Sequence, residues 1–225
     1  MKALRLCGFL LLVLMQPLQA AGDEMRDRLK ACATCHGEQG VSSQEGYSPS
    51  IAGKPAGYLY QQLLNFREGR RRHVVMQHLL AWMSDDYLHS IAAWYGAQQP
   101  APPSAPQVLA SATAELGQRL VERGDAARGI PACSACHGSQ LLGVQPSIPG
   151  LLGLGHDYLR AQLGAWRSGV RAARAPDCMA WIAMQLDVTE IDAVTAWISS
   201  RPLPEPHAPA PALTAALPID CGGVP

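Results

Sequence analysis

Aromatic residues are scarce, with two Phe, six Tyr and five Trp in 225 residues. A chain so short of rings has little bulk with which to fill a core. A dominant sign of charge is also missing. The 18 Lys and Arg balance 18 Asp and Glu, which excludes the basic footprint of a nucleic-acid binder. Beyond the N-terminal region no apolar run is long enough to span a bilayer, so no membrane span is expected. The N-terminal region itself carries Lys2 and Arg5, an apolar run from Leu6 to Met15, and small residues at Ala20, Ala21 and Gly22. That order reads as a signal peptide over residues 1–21, cleaved near Ala20 to Gly22, the alternative being an uncleaved amphipathic anchor. Without Lys2 and Arg5, 16 basic residues face 18 acidic ones, a formal balance of −2.

Cysteine is rationed in a way that carries the chemistry. Of seven Cys, Cys7 leaves with the leader and four fall in two matching pentapeptides. These are Cys32-Ala33-Thr34-Cys35-His36 and, 101 positions later, Cys133-Ser134-Ala135-Cys136-His137. C-x-x-C-H is the attachment pattern of a c-type haem. On a helix the two thiols sit about one turn apart, placed to bond the two vinyl groups of one porphyrin edge. The histidine that follows is carried under the ring as the proximal iron ligand. A zinc site or a redox dithiol could also use C-x-x-C, but neither needs a histidine directly after each pair. At this composition one such pentapeptide is expected about 0.007 times by chance. Cys178 and Cys221 remain. In an oxidising compartment they read as a disulfide tying the tail to the second lobe, or else Cys178 is itself an iron ligand.

The two motifs sit in a duplicated unit. Residues 23–35 form a helix leading into the first motif, and 37–56 a Gly-, Ser- and Pro-rich loop. A helix from about Gly57 to Glu68 follows, closed by Gly69. Ser84 then caps a helix with Leu88, Ile91, Trp94 and Tyr95 on one face. Residues 98–107 are a Pro-rich linker. The second half repeats the order: a helix over 113–124, then Pro146-Ser147-Ile148-Pro149-Gly150 against Pro49-Ser50-Ile51-Ala52-Gly53. Asp157 to Leu163 match Gly57 to Leu63, and a last helix carries Ile191, Val194, Trp197 and Ile198. Offsets of 97 to 103 residues hold throughout, which makes this a duplicated domain. The domains are 22–97 and 108–201, and residues 202–225 form a Pro- and Ala-rich tail extended over the surface. The fold class is all-α, a few helices around one haem in each domain. With so few rings, the haems themselves supply the missing core, and the apoprotein is expected to fold poorly or not at all.

Each iron needs a sixth ligand. Taking Met83 and Leu186 as equivalent residues before the last helix caps puts Met76 and Met179 both seven positions upstream, in irregular loops. They are the axial candidates, with Met83 and Met184 read as packing. His73 and His78 flank Met76 and could instead make the first haem bis-histidine. The basic run Arg70 to His73 is open to three readings: contact with haem propionates, steering of an acidic partner, or a solvated face. The carbonyls of Pro49 and Pro146 can face the second nitrogen of each ligating imidazole.

With these residues in place the chain resembles the diheme class I cytochromes c, and most closely the cytochrome c4 family. The resemblance covers about residues 24 to 200. It is carried by Cys32 to Gly37 and Cys133 to Gly138, the Pro-x-Ile-x-Gly loops at 49 and 146, the Tyr-Leu-x-x-Gln-Leu helices at 58 and 158, and Met76 with Met83-Ser84-Asp85-Asp86. It implies two mono-haem lobes about a pseudo-twofold axis and a periplasmic location with at most peripheral membrane association. It also implies single-electron transfer between a respiratory complex or dehydrogenase and a terminal oxidase, with no catalytic residues. Two departures, the tail ending with Cys221 and the cysteine before Met179, suggest a protein dedicated to one partner, such as the electron-accepting subunit of a dehydrogenase. The competing reading is a haem enzyme that oxidises a small sulfur compound or reduces peroxide at an iron lacking its methionine.

Overall fold

The computed structural model describes residues 24–42, 48–99 and 108–224. The leader and most of the linker, residues 100–107, lie outside the described residues. In the first lobe a helical segment over 24–28 runs into α1 (Lys30–His36), followed by α2 (Ala56–Arg67), α3 (Val74–Leu80) and α4 (Asp85–Gly96). The second lobe contains α5 (Ser111–Arg123), a 3₁₀ turn (Ala126–Arg128), α6 (Cys133–His137), α7 (His156–Arg167), α8 (Cys178–Gln185) and α9 (Val188–Ser199). A two-stranded antiparallel hairpin, β1 (Gly143–Val144) and β2 (Ile148–Pro149), is added to this helical frame.

Local chemistry accounts for the long helices. Ser84 accepts from Tyr87 N at 3.3 Å to cap α4, and Asp85 and Asp86 face the positive end of its dipole. Leu88, Ile91, Ala92 and Tyr95 are its buried residues. At α9 Asp187 and Glu190 cap each other's backbone, at 2.8 and 2.9 Å, in a capping box. Ile191, Val194, Trp197 and Ile198 are buried there against Leu120, Val121, Leu159 and Leu163. Where α5 crosses α9, a Cβ on Gly117 would come within 2.3 Å of the Ala193 carbonyl, so only glycine admits that approach.

The lobes meet about a local twofold. Arg71 and Arg171, 100 residues apart, face each other in an antiparallel bridge: Arg72 N donates to Val170 O at 2.8 Å and Ala172 N to Arg70 O at 2.7 Å. At the start of α2, Gly57 sits against the β1–β2 turn, where a Cβ would meet Pro146 O at 2.6 Å.

Four sequence expectations change. The segments holding Met76 and Met179 are not irregular but helical, as α3 and α8, capped by the His73 ring and the Asp177 carboxylate. Met184 is 58% exposed and belongs to neither core cluster, whereas Met83 does pack against the first core. The loop repeat is shifted. Ile51 and Ala52 donate to Gly40 O, and Leu151 and Leu152 to Leu141 O, so Pro49 corresponds to Pro149, and the look-alike at 146 belongs to the hairpin. Gly53 and Gly153 share positive φ, +68° and +76°, in the same register. The tail, finally, is not merely draped over the surface. Gln145 N donates to Ala210 O at 2.8 Å and Ala210 N to Gly143 O at 2.9 Å, which adds a rung beside β1.

Candidate haem-binding sites

In each lobe the C-x-x-C-H residues occupy a short helix whose C-terminal glycine, Gly37 or Gly138, has positive φ and turns the chain away after the histidine. His36 Nδ1 lies 2.8 Å from Pro49 O, and His137 Nδ1 lies 2.8 Å from Pro149 O. A carbonyl only accepts, so both Nδ1 atoms carry the proton and both Nε2 atoms keep their lone pair. Burial pushes both imidazoles below the usual histidine range, against the opposing effect of the proline carbonyls. A neutral imidazole oriented through its other nitrogen is the state that ligates iron. The sequence expectation of Pro49 fits this geometry. That of Pro146 does not, because the three-residue offset of the hairpin brings Pro149 to the ring instead.

The second lobe holds an apolar cavity of about 210 Å³ whose wall includes Cys133, Cys136, His137, Leu159, Leu163, Met179, Ile182 and Ile198. Burial raises the Cys136 thiol and pushes the Cys133 thiol up to about 12. In the first lobe burial likewise raises Cys32. Redox dithiols and zinc sites work through thiolates; these buried thiols are held in the protonated form, and no cysteine of either motif is in a disulfide. Nor are the two pairs brought together, since among the described residues no three His, Cys, Asp or Glu side chains cluster. Two thiols and a neutral imidazole nitrogen facing an apolar cavity fit a covalently attached haem.

Met179 lines that cavity and packs against the second core. Met76 and Cys32 pack against the first, formed by Leu29, Leu59, Leu64, Leu80, Leu88, Ile91 and Tyr95. The offset of 103 residues that pairs Met76 with Met179 has a structural counterpart: Arg67 donates to Met83 O at 2.7 Å, and Arg167 donates to Leu186 O. His73 accepts from the Met76 N–H at 3.4 Å, engaging its ring in the helix cap, and His78 is exposed. The basic run divides by function. Arg70 pairs with Glu68 and Asn65, Arg71 enters the contact between lobes, and Arg72 is exposed.

Cys178 is joined to Cys221, with Cα atoms 5.1 Å apart, and a disulfide sulfur is not available as a thiolate ligand. The bond draws the tail across the second cavity. Leu217, Ile219 and Val224 become part of its wall, and Gly222, where a Cβ would meet Ala175 O at 2.1 Å, lets the tail approach that closely. Sequence reading missed these tail residues because their spacing has no period. It also missed Arg171, whose one signal is its 100-residue offset from Arg71. Reducing the disulfide, or replacing Cys221 with serine, should therefore unpin one wall. The bond closes a separation of 43 residues, worth about 4 kcal/mol by chain entropy. The expected result is a lower Tm under reductant and faster binding of imidazole or carbon monoxide at one haem of two. Unchanged melting and unchanged ligand binding would show that the tail is not held in this way.

No helix among the described residues is long and apolar enough to cross a membrane. The cytochrome c family model matches residues 114–202. The chain is 40% identical over 170 residues to the thiosulfate dehydrogenase electron acceptor of Stutzerimonas stutzeri, covering 76% of this chain and 78% of that protein. It is 33% identical over 184 residues to cytochrome c4 of Pseudomonas aeruginosa, covering 80% and 89%. The solved thiosulfate dehydrogenase TsdBA from Marichromatium purpuratum superposes with a TM-score of 0.67 at 35% identity, covering 76% of this chain and 36% of that longer one. With two C-x-x-C-H helices, two histidines held by proline carbonyls and relatives of this length, the chain belongs to the diheme, cytochrome c4-like cytochromes c, carries two covalent haem c groups and transfers electrons.

Proposed function

We propose that this cytochrome is the periplasmic electron acceptor of a thiosulfate dehydrogenase, handing single electrons on to a terminal acceptor. The observation that carries the reading is the 40% identity to an acceptor of that enzyme, which extends over both lobes. In this reading the two domains span 22–97 and 108–201 and leave the cell behind a signal peptide cleaved near Ala20 to Gly22. Cys32 and Cys35, and Cys133 and Cys136, hold the haems through thioethers. His36 and Met76 ligate the first iron, and His137 and Met179 the second. His36 with Met76, and His137 with Met179, would hold the two haem irons, and the haem would supply one-electron chemistry at a potential raised by the thioether. Pro49 and Pro149 keep each imidazole in one tautomer and one orientation, so little has to rearrange when an electron arrives. Joining two thiosulfate ions through a sulfur–sulfur bond releases two electrons, and a two-haem acceptor has room for both.

The test is stopped-flow mixing of the oxidised mature protein with a thiosulfate dehydrogenase and excess thiosulfate. The expected result is reduction of both haems, two electrons per chain, at a rate that saturates with cytochrome concentration. Reduction no faster than by an unrelated dehydrogenase would sink the proposed partnership while leaving the electron-carrier assignment in place.

A further inference from the structure

Arg171 is 5% exposed and lines the same cavity as Cys133, His137 and Met179. Its guanidinium donates to Gln162 Oε1 at 2.7 Å, Gln62 Oε1 at 3.0 Å and Tyr58 Oη at 3.3 Å, and stacks 3.8 Å from the centre of the Trp166 ring. Arg71, from the other lobe, donates to the same two glutamine oxygens, at 2.7 Å to Gln162 and 3.0 Å to Gln62, and lies 4.5 Å over Phe66. Every one of these partners is neutral. Among the described residues no carboxylate forms an ion pair with either arginine. Burial raises the Tyr58 hydroxyl, yet the cations of Arg171, Arg71 and Lys54 outweigh it and hold that hydroxyl below its usual range. Two facing guanidiniums with only neutral acceptors, one of them almost wholly buried, are costly unless an anion joins them. Each haem brings two carboxylates of its own.

We propose that Arg171, assisted by Arg71, is the counter-ion of a propionate of the second haem at the contact between the lobes, and that it thereby helps to set that haem's reduction potential. Reduction adds an electron to the haem, so a fixed cation beside it favours the reduced form. Arg171 touches no transferred atom and acts as a positioning residue. The inference rests on haem occupancy of the second lobe and not on the identity of the electron donor.

The experiment is spectroelectrochemical titration of the two-haem protein with Arg171→Gln and Arg171→Lys. One midpoint should fall in R171Q, the other should move less, and R171K should stay near the starting value because it keeps the charge. Unchanged midpoints in an R171Q protein carrying both haems would overturn the pairing, and so would an equal fall in R171K, the mark of a packing role. Loss of haem from the unsubstituted protein would instead sink the haem reading itself. Gln162→Glu adds an isosteric carboxylate between the two arginines and tests the idea without removing either. If propionate already neutralises them, the new charge competes with it and Tm falls. An unchanged or higher Tm would mean that the arginines lacked an anion, and would overturn the proposal even if R171Q failed to assemble.

Discussion

A Met179→Ala protein should keep both haems, lose half of the weak far-red charge-transfer absorption of methionine-bound ferric haem, and bind carbon monoxide at one iron. One midpoint should fall by a few tenths of a volt, within the roughly 0.8 V that axial ligands span. The reason is the softness of the thioether, which stabilises ferrous over ferric iron; water or an empty position does not. Haem retention is expected because Cys133 and Cys136 would attach the group independently of an axial sulfur. Met76→Ala should remove the other half of the band, and the double variant all of it. Absorption and titration together decide the outcome. If Met76→Ala left the spectrum untouched, His73 or His78 would have to be considered in its place, although the His73 ring already caps α3 at the Met76 N–H.

The second large effect concerns folding. A Cys133→Ala/Cys136→Ala protein should carry one haem per chain and lose the cooperative structure of its second lobe. Without haem the cavity of about 210 Å³ would stay as a void, at about 24 cal/mol per Å³, or must collapse. The void alone costs about 5 kcal/mol, comparable with the roughly 5–15 kcal/mol total stability of a small domain. The apolar side chains Leu159, Leu163, Ile182, Leu186, Val194 and Ile198 all line that space, and Tyr58, Tyr158 and Trp166 already stand in its wall rather than filling it. Far-UV circular dichroism with limited proteolysis measures this. A second lobe that resisted protease and melted cooperatively without its haem would contradict the cavity argument.

Much of the haem chemistry was legible in the sequence because its geometry is local. Attachment at Cys32, Cys35, Cys133 and Cys136 depends on three-residue spacings within one helical turn, and the caps at Ser84 and Asp187 bond within three residues of themselves. The duplication showed as an offset that stays between 97 and 103 residues, and the fold class followed from it. The loop register did not. Pro146-Ser147-Ile148-Pro149-Gly150 imitates Pro49-Ser50-Ile51-Ala52-Gly53 better than the true counterpart does, and Leu141, at a φ of +57°, stands where Gly40 would have marked the equivalence.

What the sequence determined by itself, then, is the number of haems, the two C-x-x-C-H helices and the helical duplication, which rest on short spacings and on the recurrence of one unit. Tertiary structure alone decided which proline orients His137, that the tail walls the second cavity through Cys178 and Cys221, and that Arg71 and Arg171 share two glutamines across the twofold. Those contacts join residues from 9 to 109 positions apart. No periodicity links such residues, and what selects them is packing around the haem cavity and the pairing of two lobes, which exist only once the chain has folded.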